Sequence, residues 1–273
     1  MRCTARNRSP WSLPVLLPCR PLVRVFAVAK SYPPWPGPAR SFTASEIAQL
    51  PDPYVPPIAP GGYDRFVPVE ITYLGRNCFR LKGRDGTVIT DPCPPDSGFV
   101  IGKQTANIVT VSRRDDPGYS YTEAISGDHM VLDAPGEYDI GGILVTGIAT
   151  KRSDGARNIV FICEIDGIRI GHLGLPGTIA FEELKDVDVL LLPVGGGNSL
   201  TPNQAADTMT RIEARIAIPM NYKVGGETLD LGPLESFLKE TGSKAEPQPR
   251  LNVSRSGLPS DLTVMLLEPK LVN

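Results

Sequence analysis

Residues 113 to 120, RRDDPGYS, place two arginines and two aspartates directly after a run of β-branched residues. Metal ligands and nucleophiles commonly lie in a polar loop that follows a strand, because the strand holds the loop rigidly. Asp115 and Asp116 offer oxygen ligands or acid–base groups. Arg113 and Arg114 offer planar cationic forks that suit a carboxylate or a phosphate. The loop is therefore either an active site or a site converted to another use.

Bulk composition excludes several classes of function. The formal net charge is −2 over 273 residues, without a basic stripe, so we expect no nucleic-acid partner. Nothing approaches eighteen consecutive apolar residues, so we expect no membrane-spanning helix. The cysteines are scattered without a C-x-x-C pair, which favours a reducing compartment. They are Cys3, Cys19, Cys78, Cys93 and Cys163.

The first part of the chain differs from the rest in amino-acid composition. Residues 1 to 60 hold 13 of the 28 prolines, and seven basic residues precede the first acid, Glu46. Proline at this density disfavours helix and sheet alike. We expect residues 1–66 to be a disordered tail, a targeting segment or translated sequence upstream of the true start. The folded domain is expected at residues 67–273, in the cytoplasm or, with a transit peptide, in an organelle matrix.

Short β-rich runs separated by turn residues begin near Val67. VEITYLG, CFRLKG and TVITDP predict an antiparallel meander, and ANIVTVS predicts a strand buried on both faces. EIDGIRI carries the Asp-Gly signal of a tight hairpin turn. Two helices are predicted later, one after Thr201 and Pro202 and one ended by Gly242. These elements predict an α/β (α+β) fold, with two mixed sheets sandwiched between helices.

Six segments together resemble the metallo-β-lactamase-fold hydrolases, and the branch similar to ascorbate-6-phosphate lactonase in particular. They are EITYLGRNCFRLKGRDGTVITDP, ANIVTVS, APGEYDIGGILVTGIAT, IDGIRIGHLG, DVDVLLLPVGGG and RIAIPMNYK. The resemblance covers about residues 68 to 270 and implies an αββα sandwich. Working members of that family bind zinc or another divalent metal, and metal-bound water attacks an ester, lactone or phosphoester.

The family's metal ligands do not occur at the matching positions. Its H-x-H-x-D-H cluster corresponds to RRDDPGYS here, and its later histidines correspond to the Lys151–Arg152 region and to Asn221. The bridging aspartate of HLGD is Leu175, and the histidine after YLG is Arg76. The only histidines are His129 and His172, and neither matches a family ligand. The resemblance therefore predicts that the metal and the family mechanism are both absent.

Carboxylates could in principle replace the imidazoles. Asp91, Asp115, Asp116 and Asp154 lie in the matching loops and could hold Mg²⁺ or Ca²⁺. The neighbouring arginines and lysine would repel such a cation. The site positions named by the resemblance are Asp91, Arg113, Arg114, Asp115, Asp116, Asp154 and Asn221, with no catalytic assignment among them.

The same substitutions can also be interpreted through their charge. The basic side chains could form ion pairs that fill the cavity, or they could bind a small anionic ligand. The candidate ligand-binding residues are Arg76, Arg113, Arg114, Lys151, Arg152 and His172. The favoured function is a pseudoenzyme that binds a small anion or a protein partner. An active hydrolase with an atypical metal site and a structural subunit of an assembly remain alternatives.

Overall fold

Strands dominate the described part of the chain. The computed structural model describes residues 67–271, so the expectation for residues 1–66 lies outside that range. The strands in chain order are β1 (Val69–Gly75), β2 (Cys78–Lys82), β3 (Thr87–Thr90), β4 (Gln104–Thr105), β5 (Ile108–Thr110), β6 (Ile125–Ser126), β7 (Met130–Leu132), β8 (Gly136–Ile140), β9 (Ile143–Lys151), β10 (Arg157–Ile165), β11 (Ile168–His172), β12 (Val189–Pro193), β13 (Ile216–Met220), β14 (Pro247–Gln248), β15 (Leu251–Val253), β16 (Thr263–Val264) and β17 (Leu266–Leu267). The α-helices of this range are α1 (Pro202–Ile212) and α2 (Leu234–Thr241), with 3₁₀ turns at Pro95–Ser97, Thr122–Ala124 and Arg255–Gly257.

Two large mixed sheets form the body of the domain. The first has six strands in the order β15-β1-β2-β3-β5-β7, and the second has seven in the order β16-β13-β12-β11-β10-β9-β8. The predicted meander is confirmed, since β1, β2 and β3 pair antiparallel. In contrast, β3, β5 and β7 pair in parallel, as do β11, β12 and β13. Parallel neighbours end on the same side of a sheet, which brings their following loops together.

Local sequence signals account for the sharpest turns and the helix ends. Asp166 and Gly167 both have positive φ, 48° and 77°, as the predicted two-residue turn between β10 and β11 requires. Helix α1 begins with a capping box in which Thr201 and Gln204 satisfy each other's backbone N–H groups. Helix α2 ends at Gly242, whose φ is 65°. Each of these predictions is confirmed.

The main core lies between the two sheets. Alternate residues of the first sheet, such as Ile71, Val88 and Ile108, point into it and are fully buried. The second sheet adds central strands that are buried on both faces, as in VLLLP and IAIPM. This packing fixes the two sheets against each other and holds the loops at their edge.

The outer face of the first sheet has a small core of its own. Leu74, Ile89 and Val109 alternate with the inward residues and pack against Phe99 and Ile125. Loops and short turns from residues 93–126 supply these partners, where the sequence analysis expected helices on both outer faces. The fold class is confirmed, but the described helices are few, and both contact each other beside the second sheet. No helix in the described range is long and apolar enough to cross a membrane.

Candidate functional site

The polar residues named from the sequence collect at one edge of the sandwich, beyond the ends of β3, β5, β11 and β13. Backbone hydrogen bonds join the two sheets there. The Ile159 N–H donates to the Ser112 carbonyl at 3.1 Å, and the Asn221 N–H donates to the Arg76 carbonyl at 3.0 Å. Arg76 and Asn221 both have positive φ, 50° and 53°, so each strand turns sharply where its polar side chain leaves the sheet. The edge is therefore rigid.

Asp91 anchors the loop that follows β5. Its fully buried carboxylate accepts hydrogen bonds from the Ser112 N–H at 2.6 Å, the Ser112 hydroxyl at 2.5 Å and the Asn77 amide at 3.4 Å. Burial raises the pKa of Asp91, against the opposing effects of His172 and these hydrogen bonds. The ion pairs expected to fill the cavity do not include Asp91, because Ser112 and Asn77 already occupy its oxygens. Asp91 therefore positions the loop.

His172 belongs to the same buried layer. Its Nε2 lies 2.9 Å from the Asn77 carbonyl and 4.0 Å from an Asp91 oxygen, while its Nδ1 has no hydrogen-bond partner among the described residues. The ring packs edge-on against Phe79. His172 is fully buried and thus lies behind the loops rather than on an open surface. The half-buried His129 forms a hydrogen bond within its own turn, with the Gly127 carbonyl.

Tyr119 fills the space between two of the predicted cations. The guanidinium carbons of Arg76 and Arg113 lie 5.9 and 5.7 Å from its ring centroid. Its hydroxyl donates to the Asn221 side-chain oxygen at 3.1 Å. Burial raises the pKa of Tyr119, which keeps the phenol protonated at neutral pH. The sequence pattern did not single out Tyr119, although it lies only six positions after Arg113, a candidate ligand-binding residue.

Arg76 makes the most complete ion pair of the site. Its Nε and Nη2 reach the carboxylate of Glu227 at 2.9 to 3.2 Å, and the two side chains are 5% and 0% exposed. Arg76 also donates to the Thr228 hydroxyl at 2.9 Å. Glu227 was missed by the sequence analysis, because nothing in its local sequence relates it to a residue 151 positions earlier. A fork-to-fork geometry of this kind holds both partners in one orientation.

Arg152 occupies the turn between β9 and β10, where it pairs with Asp154. Its own side chain is 4% exposed, and its Nε has no partner among the described residues. The turn packs so closely on Gly177 that a Cβ there would meet the Ser153 nitrogen at 2.2 Å. Asn221 is held in the same way, because a Cβ on Gly195 would meet the Asn221 carbonyl oxygen at 2.2 Å. Gly195, the first glycine of the segment PVGGG, is therefore required for close packing.

Several predicted residues do not enter this buried cluster. Arg114 is 80% exposed and pairs with Asp133 at 2.9 Å, and Lys151 and Asp115 are exposed as well. Arg113 instead turns inward, is 7% exposed and pairs with Asp116 at 3.0 Å. The expectation that the basic side chains fill one cavity is thus wrong for Arg114 and Lys151. Successive loop residues point in opposite directions, and the sequence did not reveal which would be buried.

The two neighbouring arginines provide a direct test of this arrangement. Arg113→Ala should lower the free energy of unfolding by about 1–3 kcal/mol, because a buried ion-pair and ring contact is lost. Arg114→Ala should change it by no more than about 0–1 kcal/mol, since its pair is exposed. Urea denaturation of both variants measures the difference. Equal unfolding free energies for the two variants would contradict the assigned orientations.

The donor set of the site does not fit a divalent metal. In residues 67–271 no group of three or more His, Cys, Asp or Glu side chains is placed to hold a metal ion. Guanidinium groups of Arg76, Arg113 and Arg152 are buried here, and the apolar Leu175 is 3% exposed. Arginine cannot lose its proton to become a ligand.

The chain matches the model of the beta-lactamase superfamily domain over residues 70–221. A UPF0173 protein of Pyrococcus furiosus is 29% identical over 194 residues, which cover 63% of this chain and 90% of the relative. A UPF0173 metal-dependent hydrolase of Thermococcus kodakarensis is 33% identical over 122 residues, 41% of this chain and 54% of that protein.

A solved structure from Thermotoga maritima shows the same architecture. That protein is described as a Zn-dependent hydrolase of the metallo-beta-lactamase superfamily, and it is 32% identical to this chain. The superposition has a TM-score of 0.61 and covers 73% of this chain and 99% of the other. Sequence and fold agree over the region that holds the site, and the chain therefore belongs to the metallo-β-lactamase superfamily.

Proposed function

We propose that this chain has exchanged metal-dependent hydrolysis for the binding of a small anionic ligand or a protein partner. The observation that carries the proposal is the burial of Arg113, paired with Asp116 and stacked against Tyr119, at the end of β5. By the sequence resemblance, this is where the family places its first metal-binding histidines. A positive side chain there takes the place of a positive ion.

Electrostatics supports the proposal. Two unit charges about 4 Å apart repel by about 4 kcal/mol at an effective dielectric constant of about 20. Arg76, Arg113 and Arg152 are each at least nine-tenths buried, so solvent screens their charges poorly. Their charges are balanced by Glu227, Asp116 and Asp154, so a divalent cation that took one of these carboxylates would leave a buried guanidinium unpaired and exposed to this repulsion.

The relatives favour a second candidate, an active hydrolase with an atypical metal site. The relatives from Thermococcus onnurineus and Thermococcus kodakarensis are both named metal-dependent hydrolases. The carboxylates of Asp115, Asp116 and Asp154 are the oxygen donors that such a site could use. Asp116 and Asp154, however, already pair with Arg113 and Arg152, and Asp115 lies exposed. A metal would have to displace both arginines.

Metal content distinguishes the two candidates. Protein purified from medium with added Zn²⁺ or Mn²⁺ should contain well under one equivalent by inductively coupled plasma mass spectrometry. It should also show no chelator-sensitive hydrolysis of p-nitrophenyl acetate, a simple lactone or bis-p-nitrophenyl phosphate. The Thermotoga maritima relative, prepared in parallel, controls for metal loss during purification. One tightly held equivalent together with chelator-sensitive turnover would overturn the proposal.

A further inference from the structure

We infer that Arg113, together with two arginines outside the cluster around Tyr119, binds the phosphate group of a small organic molecule. The inference rests on the proposed function and names its ligand class. The site is a cavity of about 460 Å³ at the end of β5. That volume is within the usual range for small-molecule sites, roughly 300–1,000 Å³, and leaves room for an organic body beyond the phosphate.

Three arginines line this cavity. Arg113 and Arg114 come from the loop after β5, and Arg157 comes from the start of β10. The floor between them is fixed, because the Ile159 N–H donates to the Ser112 carbonyl and ties the two sheets together. The arginines therefore come from two separate elements that cannot move apart without breaking the inter-sheet bond.

Arg114 and Arg157 converge on a single residue. An Arg114 Nη1 lies 2.9 Å from the Asp133 carboxylate, and the Arg157 Nη2 donates to the Asp133 carbonyl at 3.0 Å. Each guanidinium carries five N–H donors, so most donors of both forks have no partner among the described residues. Two forks aimed at one point can bind different oxygens of the same phosphate.

The charges of the lining favour an anion. Arg113 pairs with Asp116 and Arg114 pairs with Asp133, so among the three arginines of the lining it is Arg157 that lacks such a pair. Arg157 has no carboxylate partner among the described residues, since its contact with Asp133 is to a backbone carbonyl. The Arg113 Nε is buried and likewise has no hydrogen-bond partner in that range. An anion would supply the counter-charge that Arg157 lacks.

Phosphate binding can be measured on the full chain. Inorganic phosphate and glycerol 3-phosphate should raise the melting temperature and give saturable heats in isothermal titration calorimetry. Sodium chloride at the same ionic strength should not. Glycerol 3-phosphate should bind more tightly than inorganic phosphate, because it also fills the remainder of the cavity. Equal binding of the two would mean that only the head group is recognised, which contradicts an organic ligand.

Variants test whether these arginines form the site. Arg157→Ala and Arg114→Ala should each weaken phosphate binding by about tenfold or more, as expected for the loss of a charge-assisted hydrogen bond. Arg157→Lys should bind less tightly than the parent, because a point charge lacks the fork. The matched control is Arg250→Ala, which removes a 61% exposed arginine paired with Glu70 away from this cavity.

The outcomes separate this inference from the proposed function. Unchanged phosphate affinity in Arg157→Ala, with a parent-like melting temperature, would overturn the inference alone. No phosphate response in the parent would do the same. A stoichiometric metal in the parent would overturn the proposed function, and phosphate binding that survives in Arg157→Ala but disappears with chelator would overturn both.

Discussion

Glu227→Gln should destabilise the folded chain by about 3–5 kcal/mol. Removal of this carboxylate leaves the charge of Arg76 buried and uncompensated, and breaking a buried pair typically costs that much. The two side chains are 0% and 5% exposed, so water cannot take over the missing interaction. The change also weakens the acceptor of the Leu229 N–H, which now bonds Glu227 at 2.8 Å.

A double replacement distinguishes a buried charge from lost packing. Arg76→Met combined with Glu227→Met should recover most of the stability, because well-packed apolar pairs often replace buried ion pairs without loss. Position 76 has a positive φ, which strains arginine and methionine equally, so this backbone strain cancels when the parent and the variants are compared. Urea denaturation of the parent, Arg76→Met, Glu227→Met and the double variant gives the coupling energy of the pair.

A surface pair provides the control for this cycle. Glu182→Gln makes the same chemical change in the exposed pair with Lys185, whose side chains are 81% and 66% exposed, and should cost no more than about 1 kcal/mol. If Glu227→Gln is no more destabilising than Glu182→Gln, the Arg76 charge is solvated and the assigned pair is wrong. If the double variant is the least stable of all, packing rather than charge dominates.

Local patterns in the sequence were sufficient for most of the fold. Alternating apolar residues predicted the strands, and the Asp166–Gly167 turn and the cap of α1 follow from backbone preferences of a few adjacent residues. The resemblance added the location of the site, because Arg113, Arg152 and Asn221 do lie at one edge of the sandwich. These are properties of short segments or of a shared fold.

The same patterns could not predict which side chains contact each other within the site. Glu227 and Asn221 lie 151 and 102 positions from the residues they contact, Arg76 and Tyr119. Only the packing of the two sheets determines which of these side chains meet. Arg113 and Arg114 are adjacent and identical, yet one is buried and the other exposed, because the loop leaves the sheet there. The expectation of helices on both outer faces failed for a related reason, because loops cover the outer face of the first sheet and form a small core with it.

Asp91→Ala should cost about 2–5 kcal/mol of folding free energy, whereas Asp91→Asn should cost much less. Alanine leaves the buried Ser112 N–H without an acceptor, a loss of about 1–3 kcal/mol. It also places an unsuitable residue at a φ of 35°, a left-handed conformation that costs about 1–2 kcal/mol and that Asn and Asp tolerate best. Asparagine retains an oxygen for the Ser112 N–H, and the Ser112 hydroxyl can rotate to accept from the new amide.

The comparison of the parent with Asp91→Asn also has an expected dependence on pH. Burial raises the pKa of the Asp91 carboxyl in the folded chain above its usual value of 3.8. Between the unfolded and folded pKa values the folded state holds a proton that the unfolded state has released, so this group's contribution to stability falls as pH rises through that window. The asparagine variant has no such titration. Urea denaturation across the acid range should therefore show the parent gaining stability relative to Asp91→Asn as pH is lowered. A difference that stays constant, or that moves toward the variant at low pH, would mean that folding does not raise the pKa of Asp91.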